Sequence, residues 1–63
     1  MPVVQIYMWK GRKDKEKAEI IRDITAAFEK QGVHPEHTTV IIHDVDKADW
    51  GMGGTQASKL KAS

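Results

Sequence analysis

The 63-residue chain has no cysteine, which excludes disulfide stapling, thiolate metal ligands and a cysteine nucleophile. Neither sign of charge predominates: ten Lys and Arg face nine Asp and Glu, for a net charge of +1. The signs are interleaved along the chain, so there is no basic footprint for nucleic acid. No apolar run approaches the ~20 residues of a membrane span. The amino terminus lacks the charged-then-apolar pattern of a secretory leader. These absences predict a soluble, cytoplasmic protein with neither nucleic acid nor membrane as partner. His34, His37 and His43 lack the spacing of a helical or zinc-finger metal site. There is no Gly-x-Ser-x-Gly elbow, and "GMGG" lacks the strand-then-helix setting of a phosphate loop.

A chain this short buries only about 60% of the surface its unfolded form exposes. Small chains offset that deficit with disulfides, metals or partner subunits. With the first two excluded, a homo-oligomer is expected. Residues 1–63 read as a single domain, with 60–63 as a mobile tail.

Within that length the elements are clear. "VVQIYMW", residues 3–9, reads as a strand, with Val4, Ile6 and Met8 on one face and Val3, Gln5, Tyr7 and Trp9 on the other. Both faces are largely apolar, so both should meet something. Gly11 permits a turn. Asp14 stands where an N-cap belongs, before "KEKAEIIRDITAAFEKQ". There Ala18, Ile21, Ile24, Ala27 and Phe28 recur at helical spacing, with Ile20 beside them. Gly32 is placed to stop the helix, and Pro35 follows. "TTVIIHDV", residues 38–45, is a second strand, rich in β-branched residues. A crossover of this length makes the two strands parallel. The glycines of "WGMGG" predict a short hairpin after Trp50, reaching onto a neighbouring subunit. The fold class is therefore α/β (α+β): a β-α-β unit with a two-stranded parallel sheet, one long helix and a C-terminal hairpin. One face of its sheet is left for another copy to cover.

Few residues offer chemistry. Most acidic side chains fall on the solvent side of the helix. Pro2 is either a strand starter, since proline donates no ladder hydrogen bond, or something more. Removal of Met1 turns Pro2 into a free secondary amine. Apolar surroundings and a nearby cation disfavour the protonated form of such an amine, leaving a base suited to proton transfer near neutral pH. With Met1 attached, the same nitrogen is a tertiary amide without useful basicity.

Taken together, "MPVVQIYMWKGR", a capped helix, "TVIIHDV" and "WGMGG" resemble the 4-oxalocrotonate tautomerase family over roughly residues 1–59. The resemblance implies β-α-β subunits that pair through their sheets and commonly form a hexamer of three pairs. It implies an enol–keto tautomerase of small 2-hydroxy-dienoate or enolpyruvate-type acids, such as 2-hydroxymuconate, of the kind met in aromatic catabolism. No cofactor or metal is implied. Pro2 matches the family's proline, the general acid/base. Arg12 matches the arginine that holds a substrate carboxylate, a task its planar fork suits. Trp50 matches the aromatic wall over the substrate, often supplied by an adjacent subunit. Without the resemblance, Arg12 reads as a surface cation at a turn and Trp50 as an interface anchor.

One position departs from the pattern. Well-studied members carry a second arginine at the start of the second strand; counted back from "WGMGG", this chain has Thr39 there, and Thr38 on a one-residue shift. Neither can carry charge, and losing one preorganised charge partner typically costs about 10²–10³ in rate. A substrate with a single carboxylate, held by Arg12, should therefore fare better than a diacid. Two alternatives stay open at this point. One is a related proline-dependent hydratase, dehalogenase or decarboxylase; the other is a non-catalytic oligomeric interaction protein on the same fold.

Overall fold

The computed structural model describes residues 1–60. Strand β1 (Val3–Trp9) leads through a turn at Gly11 into helix α1 (Asp14–Glu29). A 3-10 turn at Pro35–His37 precedes strand β2 (Thr39–Val45). A second 3-10 turn, Lys47–Asp49, leads to a hairpin of β3 (Gly51–Met52) and β4 (Thr55–Gln56). A third 3-10 turn spans Ala57–Lys59. Of the tail expected to be mobile, residues 61–63 lie outside the described residues.

Strands β1 and β2 pair in parallel with Val3 opposite Thr39, Tyr7 opposite His43 and Trp9 opposite Val45. That register places Val4, Ile6, Val40 and Ile42, all half-buried, on the face toward α1. The other face carries Val3, Gln5, Tyr7, Ile41 and His43. Val3 is 56% and Tyr7 59% exposed, so this apolar face lies open in a single chain. Parallel sheets are otherwise found covered on both faces.

The helix differs from its sequence reading in two respects. Its N-cap is Lys13 rather than Asp14, which is the first helical residue. The Lys13 N–H donates to Glu16 Oε1 at 2.9 Å, so a side chain from within the first turn caps the helix where a lysine cannot accept. Asp14 and Glu16 both lie in that turn, where negative charge suits the helix dipole. The second difference is rotational. Lys17, Ile20, Ile24, Thr25 and Phe28 are the half-buried residues, whereas Ala18, Ala27 and Ile21 (39% exposed) lie outside the contact. The apolar arc of α1 is wider than one two-stranded sheet can cover, so the expected stripe is only partly used.

Gly32 ends the helix as expected. Its N–H donates to Glu29 O at 3.0 Å, and the Val33 N–H donates to Phe28 O at 3.1 Å. This paired pattern closes a helix around a left-handed residue, and Gly32 has φ +87°. In the hairpin, Gly53 and Gly54 both have positive φ, as a two-residue type I′ turn requires.

Among the described residues only Ala57 (5% exposed) is fully buried. The radius of gyration is 14.8 Å, against roughly 11 Å for a compact chain of this length. The hairpin forms its own two-stranded sheet, separate from β1–β2. The described residues thus give an isolated subunit almost no fully buried core. Among the described residues no helix is long and apolar enough to cross a membrane.

Candidate active site

Pro2 sits immediately before β1 and is half-buried. Its carbonyl accepts a hydrogen bond from the Thr39 N–H at 3.0 Å. The two residues therefore share the leading end of the parallel sheet, which fixes the position of the Pro2 nitrogen without using that nitrogen in the ladder. Thr39 Oγ1 brings a hydroxyl and no charge to this end. The neighbouring Thr38 Oγ1 is buried and has no hydrogen-bond partner among the described residues.

Arg12 and Trp50 lie past the opposite end. Arg12 follows the Gly11 turn and lines a groove of about 390 Å³ with Trp9, Lys10, Glu16 and Lys47. Its Nη1 is 3.7 Å from Glu16 Oε2, beyond hydrogen-bond length, and the arginine is more than half exposed. Glu16 is itself held through its other oxygen by the Lys13 N–H. The carboxylate thus orients the guanidinium without saturating its five N–H groups.

Trp50 is placed by backbone bonds on both sides. Its N–H donates to Lys47 O at 3.3 Å, and its carbonyl accepts from the Ala57 N–H at 2.6 Å. A second groove, about 450 Å³, is lined by Tyr7, Val45, Asp49, Trp50 and Gly51. The two grooves meet at the tryptophans: Trp9 and Trp50 are in edge contact, with ring centroids 5.9 Å apart and planes at 76°. Arg12 and Trp50 are accordingly brought to one end of the sheet, with Trp9 between their grooves.

Pro2 is not brought there. Seven residues of β1 separate it from the Arg12 turn, a span of roughly 20 Å. Pro2 and Thr39 hold one end of the subunit; Arg12 and Trp50 hold the other. No small acid bridges that distance within one chain. A two-fold arrangement of sheets in opposite directions would bring the proline end of one copy to the arginine end of its partner.

Several residues at this site were not singled out by sequence reasoning. Trp9 forms the wall between the grooves, and Lys47 Nζ lies 4.8 Å from the Trp9 ring centroid. On the open sheet face, Tyr7 and His43 stack at 4.3 Å, and His43 Nε2 and Gln5 Oε1 are 3.0 Å apart. The period-2 pattern placed Gln5, Tyr7 and Trp9 together, but pairing them with β2 needs the strand register. Lys17 and Asp44 form an ion pair between helix and β2. The hydrogen bond to Asp44 holds the Lys17 ammonium above its ordinary 10.5, with the Asp44 and Asp14 charges adding and partial desolvation opposing. Among the described residues, no group of three or more His, Cys, Asp or Glu is arranged to hold a metal ion.

Comparison with known proteins identifies the family. The family model described as "Tautomerase enzyme" matches residues 2–59, beginning on Pro2. The chain is 41% identical to a 2-hydroxymuconate tautomerase of Comamonas testosteroni over 61 residues, covering 95% of this chain and 97% of that one. It is 39% identical, with the same coverage, to a 2-hydroxymuconate tautomerase of Pseudomonas putida. Among solved structures, a 4-oxalocrotonate tautomerase isozyme from Methylibium petroleiphilum superposes with a TM-score of 0.83 at 41% identity, covering 90% of this chain and 94% of that one. A heterohexameric 4-oxalocrotonate tautomerase from Chloroflexus aurantiacus gives 0.87 at 31% identity, covering 97% and 100%. On the match from Pro2 to Lys59, the identity to relatives over nearly the whole chain and the shared fold, the chain belongs to the 4-oxalocrotonate tautomerase family of enzymes.

Proposed function

We propose that the protein is an enol–keto tautomerase of small 2-hydroxy-dienoate or enolpyruvate-type acids, with Pro2 as its general acid/base. The observation that carries this reading is the placement of Pro2. It lies at the end of a sheet whose opposite end bears Arg12 and Trp50, and the family match begins on that residue. Relatives covering nearly the whole chain are named 2-hydroxymuconate tautomerase, which supports the substrate class.

Removal of the exposed Met1 converts the Pro2 nitrogen into an amine. That amine accepts a proton from the substrate 2-hydroxyl, or its enolic equivalent, and returns one to a carbon along the conjugated chain. The enol thereby becomes the ketone with no net gain or loss of protons. Arg12 of a second copy pairs with the substrate carboxylate through its guanidinium fork. Trp50 and Trp9 supply an apolar wall that excludes water and keeps the amine in its basic form. Thr39 offers a hydroxyl where an arginine would offer charge, so the site favours acids with one carboxylate. The assembly is a homo-oligomer in which each site draws on two copies, with a trimer of dimers the arrangement the family resemblance suggests. No cofactor enters this reaction.

Ultraviolet assay of phenylenolpyruvate and 2-hydroxymuconate ketonisation tests the reading, after intact mass has established that Met1 is absent. The processed protein should convert phenylenolpyruvate well above the uncatalysed rate and the Pro2→Ala variant should not. Equal, slow conversion of both substrates by the two proteins would remove the proposal. Hydration, dehalogenation or decarboxylation on the same scaffold calls for a proline that is cationic at neutral pH, so the pH profile separates those chemistries from this one.

A further inference from the structure

We infer that Lys47 is a second carboxylate-binding residue of the Arg12 groove, held in place by the face of Trp9. The inference rests on the carboxylate role proposed for Arg12 and extends it to a residue that role does not name.

Three cations line the same groove: Lys10, Arg12 and Lys47. Two of them have carboxylate partners. Lys10 Nζ is 3.3 Å from Asp46 Oδ1, and Arg12 is oriented by Glu16. Lys47 differs. Among the described residues it makes no salt bridge. Its ammonium rests 4.8 Å from the centroid of Trp9 instead. An aromatic face attracts a cation but leaves its three N–H donors free, since the ring quadrupole accepts no conventional hydrogen bond. The ammonium is thus positioned without being neutralised, which is the condition a subsite for an incoming anion needs.

The backbone explains how the lysine is held there. Lys47 opens the 3-10 turn Lys47–Asp49, and its carbonyl accepts the N–H of Trp50. One turn therefore presents the ammonium of Lys47 and the indole of Trp50 to the same Trp9 ring. Lys47 and Arg12 arrive from different elements, the turn after β2 and the turn after β1, and meet only across the groove. A carboxylate entering it would meet the fork of Arg12 and the point charge of Lys47 together, while the Pro2–Thr39 end stays uncharged. Positive charge is then concentrated at the carboxylate end of the substrate.

Trp9 and Trp50 are the only tryptophans, so native fluorescence reports on this groove directly. The probes are crotonate, an unsaturated monocarboxylate with no enol to react, and crotonamide, its neutral counterpart. Lys47→Met keeps a long apolar stem over Trp9 and removes only the charge. It should weaken crotonate roughly tenfold, the loss expected for one hydrogen bond to a charged group, and leave the crotonamide titration unchanged. Lys47→Arg should retain most of the affinity. Unchanged crotonate binding in Lys47→Met, with Arg12→Ala weakened, overturns this inference alone. Equal weakening of both probes assigns Lys47 to wall structure and overturns it as well. Unchanged binding in Arg12→Ala, or no saturable crotonate signal in the parent protein, removes the carboxylate reading of the groove and this inference with it. None of these readouts needs turnover, so a protein that binds crotonate in the predicted pattern yet fails to ketonise leaves Lys47 standing and removes the proline mechanism.

Discussion

The Pro2 carbonyl and the Thr39 N–H are joined by a 3.0 Å hydrogen bond at the leading end of the β1–β2 sheet. Because the strands are parallel, their trailing ends lie together at the other side of the subunit, next to Arg12 and Trp50. This one bond sets the geometry of the proposed reaction. It tethers the base to an uncharged threonine and keeps it about one strand length from the cation within its own chain.

The first prediction concerns the base. In processed protein, kcat/KM for phenylenolpyruvate should rise with pH as the Pro2 amine loses its proton and then level off, since only the free amine accepts one. Pro2→Ala should lower kcat by about 10²–10⁴, the usual contribution of a positioned acid–base group. A rate that falls as pH rises through neutrality would point to a cationic proline and to the hydratase-like chemistries instead.

Arg12 separates charge from shape. Replacing it with alanine should raise KM for a monoacid substrate by roughly 10- to 100-fold, as expected for loss of a charge-assisted pair worth about 1.5–3 kcal/mol. Arg12→Lys should recover part of that loss and not all, because an ammonium cannot meet a carboxylate with two parallel bonds. Steady-state kinetics on the three proteins, with KM and kcat reported separately, is the check.

Thr39 should set the preference between one carboxylate and two. Monoacid turnover should exceed diacid turnover in the parent protein. Thr39→Arg should narrow that gap by raising kcat/KM for 2-hydroxymuconate by up to about 10². If the parent protein is fully efficient on the diacid, and stays so with Thr38 and Thr39 both changed to valine, the threonines have no bearing on substrate choice.

The Lys17–Asp44 pair predicts a pH dependence of stability. The Lys17 ammonium is held above its ordinary 10.5, chiefly by its hydrogen bond to Asp44. A group whose folded value is raised contributes stability in full below its unfolded value and loses it as pH climbs through the folded one. The pair therefore ties α1 to β2 at neutral pH and ceases to do so above 10.5. The difference in melting temperature between the parent protein and Asp44→Asn should be present at neutral pH and shrink above that value. A difference that stays constant through the alkaline range would assign the loss to packing.

Most of the fold was legible because its signals are local. Gly32 and the Gly53–Gly54 pair demand left-handed backbone, and both stand where a helix stop and a hairpin turn were expected. β-Branched residues marked β2, and the length of the crossover made its pairing parallel. The contacting arc of α1 was less legible, because Ile20 and Ile21 are both apolar and only the sheet decides which is covered. The contacts of Lys47 with Trp9, and of His43 with Gln5 thirty-eight positions earlier, depend on strand register and on where a turn aims its first residue. Neither leaves a mark in a one-dimensional pattern. Pro2, Arg12 and Trp50 were singled out as candidates through the family resemblance. Their division between two ends of the subunit emerged only once the strands were laid side by side.

Mixing subunits tests most directly whether a site draws its base and its cation from different copies. Assayed well below KM, Pro2→Ala and Arg12→Ala proteins are each expected to be strongly impaired alone. After both are dissociated, mixed in equal amounts and reassembled, a site that takes Pro2 from one copy and Arg12 from another is intact in about one quarter of cases under random assembly. Phenylenolpyruvate ketonisation should then return to about that fraction of the parent rate. Mixed oligomers verified by native mass spectrometry that remain as impaired as the two variants alone would contradict the account.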